Sequence, residues 1–300
     1  MSANSANEAQ VPSVRVALCQ VYTEAWDSAG NFRRLMEGLE EAARQGAELA
    51  ITPECVLHGY GFADREELRL RTLEAAEPLD GPRIAAVRDL ARRTGMDIVF
   101  GFAERGPEAE GQDGPRLHNS AAFISREGAL LWVYRKVHCR DFESAEYAGA
   151  FTPGDRFYVS PRRYDAGEFP IGAYICFDRE VAEATRCLRA LGVQFIACPL
   201  ATSTFPMDQP PARADNEIIT RVRAAENEVC IAVINHAGRF NGGSFVVGPM
   251  GELICRLGEE AEVRTVEVPV GAAARLQAHA RGWMGWGFRR PEVYALYLNA

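Results

Sequence analysis

Cys176 closes the apolar run Ile171-Gly-Ala-Tyr-Ile175 and is followed by Phe177-Asp-Arg-Glu180. The run predicts a buried strand and Glu180–Leu191 predicts a helix, so the thiol stands at the elbow between them. Backbone N–H groups opening a helix face any anion beside them, which predicts a lowered thiol pKa and thiolate near neutrality. Two further polar residues end strand-like segments: Glu54 in Ile51-Thr-Pro-Glu-Cys55 and Lys136 in Tyr134-Arg-Lys-Val-His138. In open α/β sheets, functional groups collect at the carboxyl ends of strands. A carboxylate, an ammonium and a thiol gathered there form an acyl-transfer centre. The carboxylate takes the thiol proton and later activates water, the ammonium holds a tetrahedral oxyanion, and the sulfur attacks. Taken singly, each reads as ordinary: a solvated glutamate, a snorkelling lysine, a core cysteine. Their shared place at strand ends singles them out.

The pattern also predicts the elements that must position them. Val14–Val21 reads as a strand, Asn31–Gln45 as a helix closed by Gly46, and Ala47–Pro53 as a buried strand leading to Glu54. A helix over Ile84–Thr94 stops at Gly95, and Asp97–Ala103 is a further strand. Ser120–Ile124 and Leu130–Tyr134 flank Arg126-Glu-Gly128 as a hairpin that delivers Lys136. After the loop Arg140–Asp155 and the elbow come a strand at Val193–Pro199, a helix at Asn216–Glu228 and a strand at Val229–Asn235. A strand pair at Ser244–Val247 and Glu252–Arg256 follows. Alternating strands and helices with short connections predict an α/β fold of layered sheets and helices. No low-complexity tract or linker divides the chain, so residues 1–300 read as one domain. The final stretch Gly282–Ala300 carries Trp283, Trp286, Phe288, Tyr294 and Tyr297, which predicts packing on the body or on a partner subunit.

Bulk properties narrow the function classes. The 300 residues are 47% hydrophobic and 25% charged, ordinary for a globular chain with a substantial core. A net charge of −8 argues against a nucleic-acid footprint or a polybasic membrane anchor. Met1–Pro12 shows no basic or apolar leader region, and no apolar run approaches the roughly 18 residues of a membrane span. The eight cysteines form no CxxC pair, and the five histidines have no partners at ligand spacing. These features predict a cytoplasmic protein with reduced thiols and no bound metal.

The three segments resemble the signature blocks of the nitrilase, or carbon–nitrogen hydrolase, superfamily. Pro53-Glu54 with Gly59-Tyr60, Tyr134-Arg-Lys-Val-His138 and Cys176-Phe-Asp-Arg179 match in order and spacing. So do Gly192 to Pro199, Arg223 to Asn227, Asn235, and Arg289-Arg-Pro-Glu-Val-Tyr294. The resemblance implies a four-layer αββα sandwich of two mixed sheets, a Glu54–Lys136–Cys176 triad, no cofactor, and at least a homodimer. It also implies a second glutamate holding the lysine, just before Phe151-Thr-Pro-Gly-Asp155; Glu146 is the nearer candidate and Glu143 stays open.

Phe177-Asp178 after the cysteine favours amide cleavage, because nitrile-hydrolysing members usually carry Trp-Glu there. Glu180-Val-Ala-Glu183 departs from the family's aromatic–Pro–Glu at this point. Arg179 is a candidate for binding a substrate carboxylate, with a surface pair to Glu183 as the alternative. The Phe177 N–H is a candidate oxyanion donor, and Tyr60 and Asn235 are candidate pocket residues. His138 is read as a structural hydrogen-bonding residue, and Trp132 as core. The small-molecule substrate is an amide or ureido compound, in a pocket walled by the loops Tyr60–Glu67 and Ala201–Arg213. An N-carbamoyl amino acid or carbamoyl-amine hydrolase with the same triad is the enzymatic alternative. A nitrilase, or a catalytically silent interaction protein, lies further off.

Overall fold

The computed structural model describes residues 11–61, 64–108, 114–147, 149–202, 211–279, 282–283 and 285–298. Among the described residues, twelve strands form two six-stranded mixed sheets. The first is ordered β12-β1-β2-β3-β4-β5, from β1 (Val14–Gln20), β2 (Leu49–Ile51), β3 (Asp97–Glu108), β4 (Pro115–Ile124), β5 (Leu130–Arg135) and β12 (Glu262–Val268). The second is ordered β11-β10-β9-β8-β7-β6, from β6 (Val159–Tyr164), β7 (Gly167–Ala173), β8 (Phe195–Pro199), β9 (Cys230–Ile234), β10 (Phe245–Val247) and β11 (Leu253–Arg256). Each sheet has a parallel centre, β1-β2-β3 or β7-β8-β9, with antiparallel strands on either side. Among the central strands, β2, β8 and β9 are buried end to end, as strands covered on both faces are.

Helices cover the outer faces. From α1 (Ser28–Arg44) and α3 (Pro82–Thr94), Leu35, Leu39, Val87 and Leu90 pack on Ala17, Ala50, Ile98 and Phe100 of the first sheet. Asp27 caps α1 by accepting from Gly30 N at 2.9 Å. On the second sheet, α4 (Ala182–Ala190) and α5 (Pro211–Asn227) bury Ala184, Leu188 and Ala224. Between the sheets, Leu18, Ile51 and Phe123 of the first and Ile171 and Phe195 of the second join one apolar cluster. The layers therefore run helix, sheet, sheet, helix. Three more helices, α2 (Arg65–Ala75), α6 (Val270–Ala278) and α7 (Pro291–Leu298), complete the described elements.

The central strands, the hairpin β4–β5 and the pair β10–β11 lie where the sequence pattern puts them. Edge strands β6 and β12 go beyond it. Each pairs with one neighbour only and mixes charged residues or proline into its run, which blurs the period. The aromatic tail is tethered at its start, where Arg189 and Arg289 lie over the Trp286 ring at 4.6 and 3.2 Å. Trp283, Phe288, Leu296 and Tyr297 remain exposed. Among the described residues no helix is long and apolar enough to cross a membrane. All eight cysteines are free.

Candidate active site

Glu54 follows β2, Lys136 follows β5 and Cys176 follows β7, all three on connections that leave the strands' carboxyl ends. β5 runs in the direction of β3, because β4 is antiparallel to both, so Lys136 emerges on the same edge as Glu54. Gly101 of β3 leaves no room for a Cβ against the Pro53 carbonyl, and that close approach seats the Glu54 corner on the sheet. His236, after β9, reaches across from the second sheet and its Nε2 lies 2.8 Å from the Glu54 carbonyl oxygen. Its Nδ1 lies 2.7 Å from the Thr23 hydroxyl. Burial pushes the His236 pKa down to about 3, so the ring is neutral, with Nε2–H donating and Nδ1 accepting.

The Lys136 ammonium is fully enclosed and lies between two buried carboxylates. It donates to Glu54 Oε1 at 2.9 Å and to both oxygens of Glu143, at 2.8 and 2.9 Å. Asn119, a polar residue inside β4, donates to Glu54 Oε1 at 2.6 Å. Glu143 also accepts from the Tyr60 hydroxyl and from Arg140 N, the latter at 2.9 Å. Glu54 Oε2 is buried and has no hydrogen-bond partner among the described residues. A buried carboxylate oxygen without a donor is costly, and it is what a general base awaiting a proton requires.

The charges are held unequally. Burial raises the Glu54 pKa, and Glu143 nearby adds to this, while Lys136 and Asn119 only partly oppose it. For Glu143, burial is outweighed by Lys136 and the Tyr60 and Arg140 bonds, and its pKa falls. Burial works against the lysine too, but the pull of Glu143 and Glu54 prevails and its pKa is well above the ordinary value. Lys136 therefore stays an ammonium, and Glu54 is the carboxylate nearer to accepting a proton.

Cys176 opens a 3₁₀ turn, Cys176–Arg179, with α4 starting only at Ala182. Its backbone is left-handed at φ 48°, a strained conformation for a side-chain-bearing residue and one that concentrates at functional sites. The charges of Glu54, Lys136, Glu143 and Arg179 all act on its thiol. The expectation of a ready thiolate is corrected here. Burial first and the neighbouring Glu54 second raise the thiol pKa far above the usual value, and the pull of Lys136 does not reverse it. Among the described residues the sulfur's hydrogen-bond contact is with the Thr202 hydroxyl, at 3.9 Å. At rest the Cys176 sulfur is therefore a neutral thiol.

Other sequence candidates fall on both sides. Glu146 does not approach Lys136; it is exposed on a short 3₁₀ turn, Ala145–Tyr147. Glu143 faces the lysine instead, because Phe151 N bonds Glu143 O at 2.8 Å and Gly149 packs too closely against residue 143 for any Cβ. Arg179 is fully buried rather than at the surface. It donates to Asn216 Oδ1 at 2.5 Å and approaches Glu180 at 3.7 Å, not Glu183. Its Nε and Nη1 have no partners among the described residues. Tyr60 supports Glu143 from behind. Asn235 lines a cavity of about 280 Å³ together with Thr202, Asn216 and Phe240. Its amide is taken up by the chain, however, donating to Thr202 O, Phe240 O and Gly242 O at 2.9–3.0 Å and accepting from Thr202 N at 3.2 Å. Phe177 holds the second place in the turn, under the Arg140 guanidinium at 4.6 Å. Trp132 packs in the core against Phe123 and Tyr158. Of the expected pocket walls, residues 62–63 and 203–210 lie outside the described residues.

Sequence reading missed Asn119, took Asp178 only as a marker of amide cleavage and placed Thr202 only within an expected pocket wall. Asn119 lies in the polar first half of β4, with Arg116, His118 and Ser120, so no break in an apolar pattern marks it.

The two placements make a sharp contrast. Glu143→Gln, which removes a charge from the ammonium's cradle, is expected to lower kcat by about tenfold or more, through a mobile or displaced lysine. Glu146→Gln is expected to leave kcat within about twofold, as exposed substitutions away from a site do. Steady-state kinetics on the two variants checks the assignment.

Two mixed sheets flanked by helices, with this edge between them, form the α/β sandwich of the nitrilase superfamily. The coordinates are similar to those of the Nesterenkonia AN1 amidase from that superfamily, with a TM-score of 0.71 and 25% identity over 96% of this chain and 98% of that one. The Carbon-nitrogen hydrolase family model matches residues 15–277. The sequence is 31% identical over 264 residues to a nitrilase of Pyrococcus abyssi (strain GE5 / Orsay), covering 85% of this chain and 89% of the relative. It is 30% identical over 291 residues to the deaminated glutathione amidase of Homo sapiens, covering 93% and 83%. The chain belongs to the carbon–nitrogen hydrolase family, and it is an enzyme that hydrolyses carbon–nitrogen bonds.

Proposed function

We propose that the enzyme is a thiol amidase that cleaves a small linear amide to an acid and ammonia through an acyl-thioenzyme. One observation carries this reading: a lysine fixed between two buried carboxylates, one of which keeps an oxygen free, all acting on one strained thiol. Glu54 takes the Cys176 proton as Sγ attacks the carbonyl carbon. Lys136 and the Phe177 N–H hold the oxyanion while Glu143 keeps the ammonium in place. The tetrahedral species collapses, the C–N bond breaks, and the nitrogen leaves as ammonia with the proton from Glu54. Water, losing a proton to Glu54, attacks the thioester, and the acid leaves as the thiol is restored. Concerted transfer suits a thiol held neutral by burial, and the raised pKa of Glu54 makes that carboxylate a stronger proton acceptor than one in water.

A second reading rests on Arg179. A buried guanidinium with two unpartnered nitrogens suits a substrate carboxylate, which favours an N-carbamoyl amino acid. Screening short aliphatic amides, ω-amides of dicarboxylates and N-carbamoyl compounds decides between the two. Ammonia alone is expected, and equimolar carbon dioxide with ammonia selects the carbamoyl reading. Turnover of nitriles but not amides would remove both.

Eight free thiols suit a reducing compartment, so we place the enzyme in the cytoplasm. The exposed tail aromatics suit a homodimer, which sedimentation equilibrium tests; a monomer at micromolar concentration would end that proposal.

A further inference from the structure

The three reacting groups arrive from two different sheets, Glu54 and Lys136 from the first and Cys176 from the second. Apolar packing holds the sheets together but is non-directional, and sets no lateral register to a fraction of an ångström. Bonds with direction have to do that. Asp178, fully buried two residues after the cysteine, accepts four of them. Its Oδ2 accepts from the Tyr134 hydroxyl at 2.7 Å and from Ile175 N at 3.0 Å. Its Oδ1 lies 2.9 Å from His138 N and 2.8 Å from His138 Nδ1, both of them donors to it. Tyr134 and His138 stand on either side of Lys136 in the chain, and Ile175 immediately precedes Cys176. The Tyr134 hydroxyl also accepts from Val137 N at 3.2 Å, which closes the loop around the lysine.

We propose that Asp178 is a positioning residue of this enzyme: one carboxylate grips both flanks of Lys136 and the approach to Cys176, and so sets the attacking sulfur against the oxyanion-holding ammonium. It touches neither reacting atom. Each of its oxygens accepts two bonds, so neither has capacity left for a ligand. The inference rests on the roles given above to Cys176 and Lys136, and it adds the register between them.

The test is Asp178→Asn, isosteric but with one acceptor turned into a donor that opposes the two N–H groups of His138. Displacements of about 1 Å at a reacting centre cost about 10²-fold, so kcat is expected to fall by about that factor with KM kept within about threefold. Alkylation of Cys176 by iodoacetamide at neutral pH, followed by mass spectrometry, is expected to slow by about tenfold or more, since the thiol loses its placement against the base. A folded variant with kcat and alkylation rate both within about threefold of the parent overturns the proposal, as does equal loss in kcat and 1/KM, which marks a merely structural role. If Asp178→Asn does not fold, the Tyr134→Phe, His138→Ala double variant is read by the same two measurements. If the parent turns over no amide or ureido compound, the functional reading falls, and the alkylation rate alone decides the role of Asp178.

Discussion

Cys176→Ala is expected to abolish turnover while the protein stays folded. In enzymes whose nucleophile and base act as a unit, losing the nucleophile costs about 10⁶-fold in kcat, and a loss of that order is expected here. Stability should move little and in an informative direction. The backbone at 176 is left-handed, with φ 48°, so Cys176→Ala keeps the strain and Cys176→Gly relieves it. The glycine variant should unfold at a denaturant concentration equal to or above that of the alanine variant, by up to about 1 kcal/mol, although both are inactive. A nucleophile maintained at the expense of local backbone comfort predicts that separation of activity from stability. Retention of more than about a thousandth of parent activity in Cys176→Ala would remove the thioester route.

Lys136→Met is expected to damage both activity and fold. The ammonium lies between two enclosed carboxylates that accept three of its hydrogen bonds. Without it, Glu54 and Glu143 face each other across an apolar side chain. Removing one partner of a buried charge network costs about 3–5 kcal/mol, far more than the network is worth as a whole. The loss of an oxyanion donor adds about 10²–10³-fold in rate. Loss of the ammonium also removes a pull that holds the Glu54 pKa down, so the carboxylate binds a proton more readily and is less available as a base.

The pH dependence follows from the directions of the shifts. Glu143 has a depressed pKa, so the stability it lends is present above the ordinary carboxylate range and is lost as pH falls through its folded value. Lys136 has a raised pKa, so its contribution is full below the ordinary lysine range and is lost as pH rises through its folded value. Glu54 has a raised pKa and acts oppositely to Glu143: ionising it costs stability, and acid relieves the cost. In Lys136→Met the two carboxylates repel unless one is protonated, so its deficit against the parent should narrow as pH falls from 8 toward 5. Denaturant titrations across that range check it. A Lys136→Met, Glu143→Gln double variant should recover stability but not activity.

Several residues owe their visibility to local pattern. Glu54, Lys136 and Cys176 each break an apolar run at its end, and a polar residue in that place is legible without coordinates. The layered α/β fold is legible for the same reason, because buried central strands and amphipathic helices have different periods. Edge strands β6 and β12 escape that test, since one open face and one open edge tolerate charge.

Glu143 and Glu146 show where local pattern stops. Both are acidic residues in one loop, and only the close seat of Gly149 and the Glu143–Phe151 backbone bond turn one inward and leave the other in solvent. The thiol shows it again. Its place after a strand is a local fact, but its protonation depends on burial and on Glu54, which lies 122 residues away in the chain and belongs to the other sheet. Sequence by itself determined which side chains end strands, because burial imposes a period on neighbours. Tertiary structure alone decided which of them share charge and who carries the proton, because desolvation and Coulomb energy depend on distance through space and not along the chain.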